Sequence, residues 1–277
     1  MSTEKADLYL VPFDFTTVTE EAMHFALQLA HKGGGSVLLA HIVKNEDDVI
    51  EGEQKLILEV KKLKKEDQAI IDVKVMAGSI FDDLDKIGDL TGASVVVMGT
   101  HGVTRFQKLF GSNALKVVSS SNIPFIITQE NQRTPKIEHI VMPFSFAKES
   151  VQVTQFATSL ASKYDATIHL VGYKDSDEWL LRDMKTNQAI VRRHLTSNKV
   201  KHEVVNLEGK ASYEEELMAY AKEIGADLFA AAYFSQGIKS IFHSFLQAMI
   251  TNEHKIPVIT INAPEVMTVG SGSFLTV

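Results

Sequence analysis

The chain repeats itself. Leu10-Val11-Pro12-Phe13 returns 131 residues later as Val141-Met142-Pro143-Phe144. At the same offset Phe25, Ala26, Leu29 and Ala30 fall on Phe156, Ala157, Leu160 and Ala161, four positions on one helical face, and Gly78 falls on Gly209. Beyond Ser79 the offset becomes 133, which places two extra residues near Lys210 and Ala211. It then pairs Leu84 with Leu217, Gly92-Ala93 with Gly225-Ala226 and Ile123-Pro124 with Ile256-Pro257. Such a duplication restricts the fold to two like units, and 277 residues suit about two domains of ~150 residues each. The polar stretch Glu130-Asn131-Gln132-Arg133-Thr134-Pro135 divides them into residues 1–132 and 133–277. It is only a few residues long, so the units are expected to pack on each other.

Each unit reads as strands alternating with helices. In the first, apolar strands are expected at 7–13, 36–43, 70–77, 94–98 and 124–128, with amphipathic helices near 17–32, 47–67, 79–91 and 112–121. Thr17-Val18-Thr19-Glu20 has capping-box spacing, and Gly33-Gly34-Gly35 supplies a helix stop able to take positive φ. Short, buried, β-branched strands joined by helices form a parallel sheet covered on both faces. The expected class is therefore α/β, as two tandem doubly wound domains. Lys61-Lys62-Leu63-Lys64-Lys65, flanked by Glu59, Glu66 and Asp67, is read as a solvated helix face.

Composition removes several functions. With 35 acidic and 28 basic residues the formal net charge is −7, against the basic face that broad nucleic-acid binding requires. The absence of cysteine excludes disulfides, thiolate zinc sites and a cysteine nucleophile. No apolar run approaches the ~20 residues of a membrane span, and MSTEKADLYL is charged where a signal peptide is apolar. A cytoplasmic protein without a membrane partner is the expectation.

In an open parallel sheet ligands bind beyond the carboxyl ends of the strands, where the winding reverses. The first copy carries its glycines there. After Ser94-Val95-Val96-Val97-Met98 comes Gly99-Thr100-His101-Gly102, then eight residues, then Gly111-Ser112-Asn113 opening a helix. Glycines let backbone N–H groups approach a phosphate, and a helix start adds donors and a favourable dipole. Asp14, at the exit of the first strand, can accept from an adenine amine or a ribose hydroxyl, or can cap the helix that follows it. His101, Arg105 and Lys108 lie between the glycine anchors, as phosphate contacts or as solvated loop residues. The second strand ends Ala40-His41-Ile42-Val43, whose backbone can meet the edge of a flat base.

The Pro12-x-Asp14 exit, the His41-Ile42 strand end and the Gly99-x-x-Gly102…Gly111-Ser112 loop resemble the universal stress protein family, over nearly the whole chain as two tandem copies. The resemblance implies strand order 3-2-1-4-5 in each five-stranded copy. It also implies pairing of the copies through their last strands, as an intramolecular pseudo-dimer. In the family's nucleotide-binding members it implies ATP, expected here with Mg2+ on the phosphates. Carried onto this chain, Asp14 and the Ile42 backbone contact adenosine, Gly99, Gly102, Gly111 and Ser112 hold ribose and phosphates, and Asn113 lies beside them. The spacer between Gly102 and Gly111 is eight residues where the family has nine.

The second copy departs further. Asp14 becomes Ser145, Gly99 becomes Ala232, Gly102 becomes Ser235, Gly111 becomes Ser244 and Ser112 becomes Phe245. One ATP site is expected, in the first copy, with the second as structural partner or as holder of a different ligand. His139, His169 and His202 replace apolar residues on neighbouring strands; register decides whether they converge on a metal or stay separate, and no metal ligand is assigned. No Gly-x-x-x-x-Gly-Lys-Ser/Thr loop or aimed general base is present, so no catalytic residue is assigned. The function expected is a nucleotide-responsive stress or regulatory module, with a protein partner in view and further homodimerisation left open. A scaffold that binds no nucleotide and a slow ATPase are the alternatives.

Overall fold

A computed structural model describes residues 6–100, 115, 117–119, 121–130, 136–144, 151–173, 178–234 and 239–263. In the first half, strands β1 (Leu8–Pro12), β2 (Ser36–Val43), β3 (Ile71–Ala77), β4 (Val95–Thr100) and β5 (Phe125–Gln129) alternate with helices α1 (Thr17–Gly33), α2 (Val49–Lys61), the short α3 (Lys65–Gln68) and α4 (Ile80–Thr91). The second half supplies β6 (His139–Pro143), β7 (Thr167–Tyr173), β8 (Lys201–Leu207), β9 (Leu228–Ala230), β10 (Tyr233–Phe234), β11 (Val258–Thr260) and β12 (Asn262–Ala263). Its helices are α5 (Thr154–Tyr164), α6 (Glu178–Ser197), α7 (Tyr213–Glu223) and α8 (Lys239–Ile250).

Ten strands form one sheet in the order β3-β2-β1-β4-β5-β11-β9-β6-β7-β8, and β10 pairs separately with β12. The first half thus has the expected 3-2-1-4-5 order, and the second repeats it outward from β11. Every pairing in the large sheet is parallel except β5 with β11, where Val258, Ile259 and Thr260 face Ile127, Ile126 and Phe125. The seam is dry, with Phe125, Ile126, Ile127, Val258 and Ile259 at most 1% exposed. Each such side chain contributes about 1.5–3 kcal/mol by leaving water. Side chains alternate across the sheet, so each face has a core running through both halves. Tyr9, Val11, α1 and α5 share one; Leu10, Leu38, Leu217 and Met249 share the other.

The seam also carries a pseudo-twofold pair of hydrogen bonds. Gln129 Nε2 donates to the Asn252 carbonyl at 3.1 Å, and Asn262 Nδ2 donates to the Ser119 carbonyl at 3.1 Å. Residues 129 and 262, like 119 and 252, are equivalent at the offset of 133. Self-complementary contact of this kind is what a twofold interface produces. Asp7 and Lys163 add an ion pair across the halves without a symmetric counterpart, since Glu138 pairs with Lys136.

Two local expectations are corrected. The helix expected over 47–67 is a 3-10 turn (Glu46–Asp48), then α2, then α3, because Lys62, Leu63 and Lys64 carry the chain round a bend. The Thr17 capping box does not form: α1 starts after Thr16, whose side chain does not cap it, and Asp14 organises the turn instead. The glycine stop does form, with Gly34 at φ 74° and its N–H on the Ala30 carbonyl. Asp165 plays the same part after α5, at φ 56°.

Candidate functional site

Pro12, Asp14, Ile42 and Gly99 come together at the carboxyl ends of β2, β1 and β4, three neighbouring strands. The winding reverses between β1 and β4, and Asp14 and Gly99 flank that point. Pro12 pairs with Ala40, so Ile42 projects past the end of β1. His101, Gly102, Arg105, Gly111, Ser112 and Asn113, with Lys108, lie outside the described residues. The helix that follows them is seen at residues 115 and 117–119, with Leu115, Val117 and Val118 buried.

Asp14 organises the turn that leads into α1. Its Oδ1 accepts from Thr16 N at 3.1 Å, Thr16 Oγ1 at 2.5 Å and Thr19 Oγ1 at 3.0 Å, which sets the entry angle of α1. Its Oδ2 has no hydrogen-bond partner among the described residues, and the side chain is exposed. The hydrogen bonds to the carboxylate among the described residues all fall on one oxygen, Oδ1.

The loop carrying Asp14 is fixed by residues that sequence reasoning gave no role. Phe15 adopts φ 65°, uncommon for an aromatic residue and a mark of sites whose surroundings hold them in place. His41 Nδ1 lies 2.8 Å from the Phe13 carbonyl, and its ring meets Phe15 edge-on at 4.8 Å. Phe13 and Phe15 meet edge-on at 5.4 Å. The only sequence signal was the Phe-x-Phe spacing around Asp14. In the second half Gly172 stands where His41 does, and a Cβ there would lie 2.6 Å from the Phe144 ring.

Gly99 is required by packing. A Cβ on it would sit 2.2 Å from the Val18 carbonyl oxygen, because the first turn of α1 lies directly on β4. That contact joins residues about eighty apart, beyond the reach of local pattern. The second half has Ala232 at this position and is built differently around it. β9 ends at Ala230, a separate β10 follows, and α5 begins at Thr154, the counterpart of Met23 rather than of Thr17.

The equivalent crevice of the second half contains aromatic rings. Tyr213 stacks on Phe245 at 5.5 Å with 9° between planes, and meets Tyr173 at 4.9 Å. The Tyr213 hydroxyl donates to the Val171 carbonyl at 2.8 Å, and burial pushes the phenol well above its ordinary range. Tyr173 and Phe245 stand at the positions of Ile42 and Ser112 in the first half. The two inserted residues have a visible purpose as well. Gly209, Lys210 and Ala211 turn their N–H groups onto the Glu216 carboxylate, which holds it below the usual carboxylate range. Glu215 completes a capping box with Ser212. These acidic residues are helix-start chemistry, as their place in the first turn implies.

Of the three histidines, two meet. His139 Nδ1 and His169 Nε2 are 3.0 Å apart, whereas His202 pairs in register with Ile168 and so lies on the opposite face from His169. No group of three or more metal-ligating side chains occurs among the described residues, and no described helix is long and apolar enough to cross a membrane.

The strand order and the helices between the strands define an α/β protein of the doubly wound kind. Residues 9–129 match the universal stress protein family. A universal stress protein from Archaeoglobus fulgidus superimposes on 94% of this chain and 100% of its own, at TM-score 0.72 and 14% identity. A protein of unknown function from Pseudomonas aeruginosa superimposes on 93% of each chain, at TM-score 0.61 and 11% identity. A universal stress protein solved in complex with cAMP matches 46% of this chain and 98% of its own, at 14% identity and TM-score 0.37. No curated protein matches by sequence.

Proposed function

We propose that residues 1–132 form a domain that binds ATP, with Mg2+ on its phosphates, and that residues 133–277 form a partner domain that does not. The observation that carries this reading is the convergence of Asp14, Ile42 and Gly99 on the switch point of the first half. The exposed Asp14 carboxylate suits a ribose hydroxyl or an adenine amine, and β2 runs past the end of β1, which suits a flat base set against Ile42. The glycines and Ser112 of the 99–113 segment supply the kind of donors that phosphates take. In the second half the Tyr173–Tyr213–Phe245 rings stand in the corresponding space, which supports a single site per chain. No residue is assigned to catalysis. The module would act by changing, with nucleotide state, the surface it offers a protein partner in the cytoplasm.

The test is a count. Freshly purified protein, denatured and analysed by chromatography, should release close to one adenine nucleotide per chain. Gly111→Leu should abolish binding while leaving the circular dichroism spectrum unchanged. Two nucleotides per chain would defeat the single-site reading. None, with no binding on ATP titration, would defeat nucleotide binding altogether.

A further inference from the structure

Helix α7 is fastened to β7 by two tyrosines on one of its faces, seven residues apart. Tyr213 donates to the Val171 carbonyl. Tyr220 Oη lies 2.8 Å from His169 Nδ1, and His169 Nε2 lies 3.0 Å from His139 Nδ1. His169 is 4% exposed. The result is a continuous chain from β6 through β7 to α7. In the first half the same three positions are Leu8, Leu38 and Ile87, the last two in the apolar core of that face and Leu8 packed against it. One half closes this corner with hydrocarbon and the other with titratable groups.

We propose that the His139–His169–Tyr220 chain is an acid-sensitive latch, which holds α7 on the sheet near neutral pH and releases it on acidification without loosening the corresponding corner of the first half. Neutral, the chain is satisfied in either tautomer, since each ring offers one donor and one acceptor. With one added proton His169 donates from both nitrogens, to His139 and to Tyr220. A second proton sets two N–H groups against each other across 3.0 Å, and the link breaks.

The surroundings set the sense of the response. Burial pushes His169 below the ordinary imidazole value; the Glu203 carboxylate of β8, 3.7 Å from its Nδ1, opposes that shift and His139 adds to it. From α7, Glu223 and Tyr220 face the same corner, and Asp227 accepts the His139 backbone N–H at 3.0 Å. His202 faces the other way and bonds the Val200 carbonyl. A histidine with a lowered folded value contributes stability that is present above its unfolded value of about 6.5 and is lost as pH falls toward the folded one. Because Tyr213 stands on the same helix, release at Tyr220 also acts on the ring stack in the second crevice.

Hydrogen–deuterium exchange on the intact chain tests the latch, at about pH 7.5 and about pH 5.5, the range in which histidine changes charge. After correction for intrinsic rates, exchange in 213–223 should rise about tenfold, while 80–91 stays constant. The variant His139→Leu/His169→Leu/Tyr220→Ile, which installs the first half's residues, should lose the rise. If that variant fails to fold, Tyr220→Phe removes only the hydroxyl and should exchange fast in 213–223 already at the higher pH. An equal rise in both helices, no rise in 213–223, or a full pH response in Tyr220→Phe would overturn the proposal.

Discussion

The two halves share a topology and differ in what fills equivalent places. Where the first half has Gly99, letting α1 lie on β4, the second has Ala232, a broken strand and a later helix start. Where the first has Leu8, Leu38 and Ile87, the second has His139, His169 and Tyr220. Where the first ends β2 at Ile42 and Val43, the second has Tyr173 against Tyr213 and Phe245. The seam itself stays symmetric, down to the paired amides of Gln129 and Asn262. Duplication preserved the surface by which the copies recognise each other and released the crevices to diverge.

The largest expected effect comes from exchanging the residues at the first of these positions. Gly99→Ala forces a methyl against a backbone carbonyl and should cost about 2–3 kcal/mol, with α1 displaced. Ala232→Gly should cost under about 1 kcal/mol, mainly through chain entropy. Urea unfolding of both variants decides; equal costs would mean that the two corners are alike after all.

The symmetry of the seam can be sharpened in the same way. Gln129→Ala and Asn262→Ala should each lose about 1 kcal/mol, read as matched shifts of the urea midpoint. A difference greater than about 0.5 kcal/mol, outside what independent equivalent sites give, would show that the pseudo-twofold is geometric only. The smallest effect belongs to the contact without a counterpart. Lys163→Ala should cost under about 1 kcal/mol, because the Asp7–Lys163 pair is partly exposed, and the cost should fade in high salt. A salt-independent loss would assign it to the packing of the lysine stem against Gly33 instead.

Much of the fold was legible because duplication supplied its own alignment. The apolar pattern located the five strands of the first half, and turn chemistry located the end of α1 at Gly34. What stayed hidden depended on contacts distant in sequence or on register. Asp14 rather than Thr17 organises the turn into α1, because its carboxylate reaches forward to Thr16 and Thr19, a geometry that the Thr-x-x-Glu spacing imitates. His139 and His169 could be placed on adjacent strands, but only the pairing of Val141 with His169 puts them on one face and leaves His202 on the other. Of the candidate site, Pro12, Asp14, Ile42 and Gly99 lie at one end of the sheet, while the packing demand on Gly99 and the bracing by Phe15 and His41 needed three dimensions.

The antiparallel meeting of β5 and β11 carries a consequence for assembly. Two separate copies joined by such a seam would come apart on dilution, and their paired state would follow how much protein a cell holds. Covalent linkage replaces that equilibrium with a fixed local concentration in the millimolar range. It also fixes composition, since each seam joins one first half to one second half and never two of a kind. Within each half the strands run parallel and across the seam they run antiparallel, so the carboxyl ends of the two halves' strands lie at opposite edges of the sheet. A partner that reads one edge therefore meets the same half in every molecule, at any level of expression.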